Sequence, residues 1–187
     1  MSIEGRPSLP LPAAAMGTLP MPAASLSKRD RARLRSRKRL TRKLAARLAA
    51  RLAAVQALYQ REMEKVPVAQ LLHEFHQHRL GATIEGVEYG EAEVEFFDDL
   101  VSGVAAREAD LDDLVAKRLS ADWSLDRLDR PMRQILRAGA YELAARIDVT
   151  TTNVISGYVE VAKAFYDEKE AGFVNATLDA VAKDVRK

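Results

Sequence analysis

An all-α fold of six or seven helices is the architecture this sequence predicts, and three observations carry it. Apolar residues recur at steps of three and four, no strand-like alternation persists, and glycine and proline cluster between the periodic segments. At 187 residues the chain suits one domain of ordinary size or two small subdomains.

Residues 1–27 hold Pro7, Pro10, Pro12, Pro20 and Pro22 without regular period, and proline this dense propagates neither helix nor ladder. Residues 1–39 therefore read as a disordered Pro/Arg-rich leader and residues 40–187 as a helical domain. Helical spacing emerges after Leu40: Leu44, Leu48, Leu52, Val55 and Tyr59 line one face, with Arg47 and Arg51 together on a neighbouring one. Pro67 biases Val66 away from helical geometry, ending this helix near Lys65. A second helix runs from Pro67 to about Leu80, and Gly81, Gly86 and Gly90 mark a loop. One long helix follows from about Glu91 to Leu119 through Val94, Phe97, Val101, Val104 and Leu111. Ser120–Ser124 break it, and Trp123 there, like Phe97, reads as packing. Leu125–Ala145 is helical with a turn near Asp129–Arg130, and Ile147–Val149 connects onward. Thr152 or Asn153 caps the next helix, which carries Val154, Tyr158, Val161 and Phe165. Gly172 begins or interrupts the last segment, whose apolar stripe is Val174, Leu178 and Val181.

Charge is distributed unevenly. Lys28–Arg51 holds twelve Lys or Arg and a single acid, Asp30, whereas residues 52–187 hold sixteen bases and twenty-five acids. The net charge of +2 averages a basic arm with an acidic body. A dense cationic segment is the footprint of a polyanion partner, most often nucleic acid; the alternative is a solvated tail with no partner.

Several classes are disfavoured. With no cysteine, the chain has no disulfide, thiolate zinc site or cysteine nucleophile, which fits a reducing compartment. The most apolar run, Leu44–Leu58, is broken by Arg47 and Arg51, so no membrane span is expected. The first residues lack a signal-peptide core, and although an Arg-rich, acid-poor start also suits a transit peptide, a cytoplasmic protein is the expectation. His73, His76 and His78 do not make the H-E-x-x-H zinc spacing, so no metal is assigned. The carboxylates of Glu91–Asp99 and Arg107–Asp113 fit the polar face of an amphipathic helix rather than an acid–base pair. No phosphate-cradling glycine loop or nucleophile elbow is present, so neither enzymatic activity nor a cofactor is assigned. Tyr59, two turns beyond Arg51, and Phe165, Tyr166 and Phe173 are placed as rings that could stack unpaired bases beside cations; core packing is the alternative for Tyr59 and Phe173.

The run RLAAVQALYQ (Arg51–Gln60), preceded by Arg47, resembles the first helix of the NusB family of transcription antitermination factors. So do FFDDLVSGV (Phe96–Val104), the W-x-L-x-R-L pattern from Trp123 to Leu128, and ILRAGAYEL (Ile135–Leu143). YVEVAKAF (Tyr158–Phe165) and FVNATLD (Phe173–Asp179) complete the order, so that the likeness covers about residues 43–187. The resemblance implies a compact bundle of seven helices in two subdomains. It implies binding of boxA-type single-stranded RNA of ribosomal RNA transcripts, together with the small-subunit ribosomal protein acting as NusE, within the RNA polymerase antitermination complex. Related domains begin some RNA methyltransferases, but the chain stops soon after Asp179, which argues for the freestanding factor.

By the same resemblance, Lys43, Arg47 and Arg51 match RNA-facing positions, Gln56 and Tyr59 the polar and aromatic positions after them, and Phe173 and Asn175 the C-terminal F-V-N motif. Met132, Arg133 and Leu136 fall on the helix corresponding to the NusE-binding surface. One departure stands out: Ile155-Ser156-Gly157 replaces the family's Ile-Asn-Glu, and glycine inside a helix costs about 1 kcal/mol relative to alanine. The rival readings are a helical protein–protein adaptor whose basic arm serves solubility, and a self-associating structural protein or homodimer.

Overall fold

The computed structural model describes residues 27–78, 83–84, 87–88, 94–120 and 123–186. The expectations for residues 1–26 and for the Gly81, Gly86 and Gly90 loop lie outside them. Helix α1 spans Lys28–Glu64, so residues 28–39, expected in a disordered leader, are helical. Arg, Lys, Leu and Ala are strong helix formers, and the Ser27 hydroxyl accepts the Asp30 amide at 3.2 Å as a cap. Every residue from 27 to 45 is exposed.

The buried part of α1 differs from the expected stripe. Ala50, Ala53, Ala54, Val55, Ala57 and Leu58 are buried, while Leu44 and Tyr59 are 50% and 38% exposed. Four alanines thus share the core-facing side of α1 with Val55 and Leu58. Lys65 ends the helix at φ 58, its amide donating to the Arg61 carbonyl at 2.9 Å, in the left-handed position usually taken by glycine.

Helix α2 is Val68–His78. Thr83–Ile84 and Val87–Glu88 then pair as a two-residue antiparallel ladder, too short to give sequence alternation. The long helix expected from Glu91 to Leu119 is two helices, α3 (Val94–Ala106) and α4 (Glu108–Ala116), broken at Arg107 (φ −123, ψ 24). No proline or glycine marks that break; both pieces pack on α5 (Arg130–Ala145), and the bend allows it. A 3₁₀ turn at Leu125–Arg127 precedes α5, and Asp129 caps it by accepting the Met132 amide at 3.1 Å. Thr150, rather than Thr152 or Asn153, caps α6 (Thr151–Lys163). Helix α7 runs Glu168–Val185 with Gly172 inside it. Among the described residues this makes seven α-helices, none long and apolar enough to cross a membrane.

Helix α5 is the centre: α3 and α4 pack on it from one group, α6 and α7 from another, and Met132 and Gln134–Leu143 are buried. Three of its buried polar side chains are paired across helices. Gln134 donates to Glu62 at 2.6 Å, Arg137 forks onto Asp112 at 2.6 and 2.7 Å, and Glu142 accepts from Arg51. Its last carbonyls, Glu142 and Leu143, accept from the Arg186 guanidinium, which also reaches the Arg146 and Val149 carbonyls beyond the helix end. Gly103 of α3 lies directly under the Tyr141 ring, whose hydroxyl donates to Asp99 at 3.0 Å. Gly103→Ala must displace that ring. The expected cost is about 1–3 kcal/mol, or roughly 2–12 °C in thermal midpoint; an unchanged midpoint would refute this packing.

Candidate nucleic-acid interface

Lys43, Arg47 and Arg51 lie one turn apart along α1, yet the structure gives them different environments. Lys43 is exposed and Arg47 half-buried. Arg51 is 5% exposed, and its guanidinium forks onto Glu142, with Nε and Nη2 at 2.9 and 2.6 Å from the carboxylate oxygens. Burial opposes the Arg51 charge, but the hydrogen bond to Glu142 and its charge more than offset this and raise the pKa. Arg51 is therefore not a phosphate contact; its charge is consumed inside the core by a carboxylate 91 residues away.

The same pair accounts for Gly157. A β-carbon there would stand 2.6 Å from Arg51 Nη1 and 2.9 Å from its Cζ, so the missing side chain is the space the guanidinium occupies. The adjacent Tyr158 is fully buried, its ring 5.7 Å from the Arg51 guanidinium carbon. Burial, then the Glu142 charge, pushes its phenol well above the ordinary range.

Arg47 belongs to a cluster around one ring. Its guanidinium carbon lies 5.1 Å from the Phe96 centroid, that of Arg146 at 5.4 Å and that of Arg51 at 5.5 Å. Arg47, Val94, Glu95, Phe96 and Arg146 line a surface hollow of about 430 Å³. Arg146 is held by Asp99 at 2.9 Å and Asp148 at 3.0 Å. Hydrogen bonding from Arg146 is the first cause that keeps the Asp148 carboxyl below its usual range, and the charge of Arg47 adds to it. Sequence reasoning missed Arg146 because only the turn after α5 brings it beside Arg47.

Gln56 and the exposed Tyr59 line a groove of about 440 Å³ with Val55, Gln60, Met63, Glu64, Pro131 and Phe165. Phe165, 40% exposed, joins Tyr59 there from the C-terminal end of α6, which the spacing within α6 alone could not reveal. Phe173 and Asn175 lie apart from these. Phe173 is half-buried and 6.0 Å from the Trp123 ring, and Asn175 is exposed. Trp123, expected as packing, is 51% exposed, whereas Phe97 is fully buried as expected. The seven residues assigned to RNA thus fall into separate places: Lys43 on the exposed arm, Arg47 at Phe96, Gln56 and Tyr59 in one groove, Phe173 and Asn175 beyond it, and Arg51 in the core.

The residues assigned to the partner are largely covered. Leu136 is 0% and Met132 5% exposed, because both face the core around α5. Arg133 is engaged at 3.2 Å by Glu62 of α1. A helix at the centre of a bundle has little face left to offer. Among the histidines, His76 lies 2.6 Å from Asp98, and no metal-binding cluster occurs among the described residues.

The NusB family model matches residues 48–183. The chain is 62% identical over 133 residues to the transcription antitermination protein NusB of Sphingopyxis alaskensis, covering 71% of this chain and 89% of that protein. It is 65% identical over 132 residues to the protein of the same description from Novosphingobium aromaticivorans, with the same coverage. In structure it is similar to NusB of T. maritima, with TM-score 0.62 and 28% identity over 75% of this chain and 93% of that one. It is likewise similar to a chain in a crystal structure of antitermination factors NusB and NusE in complex with dsRNA. There the TM-score is 0.60 and the identity 26%, over 74% of this chain and 97% of that one.

Two substitutions separate core from surface. Arg51→Ala strands a fully buried carboxylate and should cost about 3–5 kcal/mol, whereas Arg47→Ala, at a half-buried surface site, should cost less, about 0.5–1 kcal/mol. Urea unfolding of both variants measures the difference, and equal losses would return Arg51 to the surface.

Proposed function

The chain belongs to the NusB family of transcription antitermination factors, and from that premise we propose that it binds boxA-type single-stranded RNA. The small-subunit ribosomal protein acting as NusE completes the site within the RNA polymerase antitermination complex. The observation that carries the reading is the groove of Gln56, Tyr59 and Phe165, where Gln56 and Tyr59 lie on the helix whose other end is cationic and Phe165 faces them from the turn after α6. An unpaired base offers a π-face for stacking and an edge for an amide, whereas a duplex keeps its bases stacked within. A related structure holds NusB and NusE in complex with dsRNA, which supports NusE and RNA as partners; the single-stranded reading rests on the groove.

In this reading Lys43 and Arg47 meet phosphates from the exposed side of α1, with Arg146 beside Arg47, and Tyr59 or Phe165 stacks a base. Gln56 reads a base edge. Arg51 takes the role of holding the helix that presents them. The exposed cations of residues 28–42 add affinity through phosphates without reading sequence.

Titrating a boxA-type strand, a scrambled strand and a duplex, each with and without the ribosomal protein, tests this. Preference for the boxA strand that sharpens with the protein present is expected. Equal binding of all three would leave a non-selective helical adaptor, and RNA-independent dimerisation would favour the self-associating reading. If about five phosphates are neutralised, the log–log salt slope is about −3.5, and Lys43→Ala with Arg47→Ala should flatten it by about 1.4. Tyr59→Ala should lower affinity for the boxA strand about 5- to 150-fold at unchanged slope.

A further inference from the structure

We propose that the first eleven residues of α1, Lys28–Lys38, form a helix that seats in the major groove of duplex DNA. The segment lies ahead of residues 48–183, which the NusB family model matches, and the inference does not depend on the boxA reading. It gives the general attraction of this arm for phosphates a defined geometry and a defined polymer.

Seven of the eleven residues are Lys or Arg, and Asp30 is the single acid. Arginine stands at every second position from Arg29 to Arg37, and a helix turns that alternation into two opposite ridges. With 3.6 residues per turn, Arg29, Arg33 and Arg37 follow one another along one side. Lys28, Arg31, Arg35 and Lys38 follow one another along the other, about 180° away. The two faces between the ridges differ. One carries only the small side chains of Ala32 and Ser36. The other carries Leu34 and Asp30, whose carboxylate accepts the Ser27 hydroxyl at 2.7 Å. All eleven residues are exposed, so both ridges and both faces are open to solvent.

Two opposite ridges suit a partner with two walls of phosphate; a single anionic surface would meet one ridge and leave the other in water. The major groove of B-form DNA has such walls and is about 12 Å wide. An α-helix with its side chains is about 10–12 Å across and fits between them. With Ala32 and Ser36 toward the groove floor, small side chains let the helix approach the base edges. Asp30 then faces outward, away from the phosphates.

Other nucleic acids fit this segment less well. The major groove of an A-form RNA duplex is too deep and narrow for side chains to read. Single strands are held on aromatic platforms, and residues 28–38 contain no aromatic ring. They contain no Asn or Gln either, so the DNA contact has little means of reading sequence.

The test titrates the full chain, by anisotropy over a range of salt, against a labelled DNA duplex of arbitrary sequence, the matching RNA duplex and the matching DNA single strand. Duplex DNA is expected to bind tightest. If about six phosphates are met, its log–log salt slope is about −5.4. Arg29→Gln, Arg33→Gln and Arg37→Gln together should flatten that slope by about 2.7. On the opposite ridge, Arg31→Gln with Arg35→Gln should flatten it by about 1.8. Glutamine is a good helix former, so the arm stays helical, and far-UV circular dichroism verifies it. Ala32→Leu with Ser36→Leu keeps every charge but fills the floor face, and should abolish the preference for duplex DNA. Leu34→Ala, on the outward face, should leave that preference intact. Equal affinity for all three polymers, a slope that responds to one ridge only, or indifference to the two leucines overturns the proposal and leaves a diffuse polycation. Tighter binding of the RNA duplex overturns it in favour of RNA. A boxA-type strand titrated alongside separates the two readings. If that strand binds and duplex DNA does not, the DNA inference alone falls; if DNA binds and the strand fails even with the ribosomal protein, the boxA reading alone falls.

Discussion

An ion pair in the core, Arg51 to Glu142, sets the position of the first helix against the central one. Such a pair is a poor source of net stability, because desolvating both charges consumes most of their attraction. What it supplies is register. Only one rotation and one height of α1 bring the Arg51 fork onto both oxygens of Glu142 at 2.9 and 2.6 Å. Around that contact the neighbours are adjusted: Phe96 and Tyr158 lend ring faces, and Gly157 withdraws its side chain altogether. The loss of helix propensity at Gly157, puzzling on sequence alone, is offset by the space it leaves.

The division of charge has a structural basis as well. In the body, carboxylates are spent between helices: Glu62 on Arg133, Glu108 and Asp112 on Arg137, Asp99 on Arg146. They tie α1, α3 and α4 to α5 and to the turn that follows it. The exposed half of α1 has a different composition, with Asp30 as its single acid, and Asp30 is engaged with the capping Ser27. Acids in the body thus work as interhelical joints, whereas the cations of the arm remain a surface property. In the proposed RNA-binding role, that arm supplies a salt-dependent, sequence-independent contribution, and selectivity has to come from somewhere less charged.

Much of the fold was legible because periodicity is a local signal. The end of α1 before Pro67, the start of α5 near Asp129, and the stripe of Val174, Leu178 and Val181 all follow from neighbours within a few residues. What escaped depended on distant partners. The break at Arg107 interrupts a stripe that continues from Val104 to Leu111, and only packing on α5 explains it. Arg51 has the spacing of a surface arginine, and its burial depends on Glu142. Leu136 sits on a helix that a resemblance marks as a binding surface, yet enclosure by neighbours on several sides hides it. Trp123 was misjudged in the same way: its apolar character suggested packing, yet its ring is 51% exposed.

Trp123 and Phe165, both exposed, show how the core reaches the surface. The groove of Tyr59 and Phe165 and the one lined by Trp123 and Phe173 are both built against the first turn of α5. There Asp129 caps the helix and accepts the Tyr166 hydroxyl from the turn between α6 and α7. Pro131 and Met132, consecutive in that first turn, give one residue to each groove. The groove of Tyr59 has its opposite wall on α1, whose placement against α5 is the work of Arg51 and Glu142. The spacing between Tyr59 and Pro131 is therefore not a property of either helix alone. It is a consequence of the buried ion pair, so a residue outside the groove decides how wide the groove is.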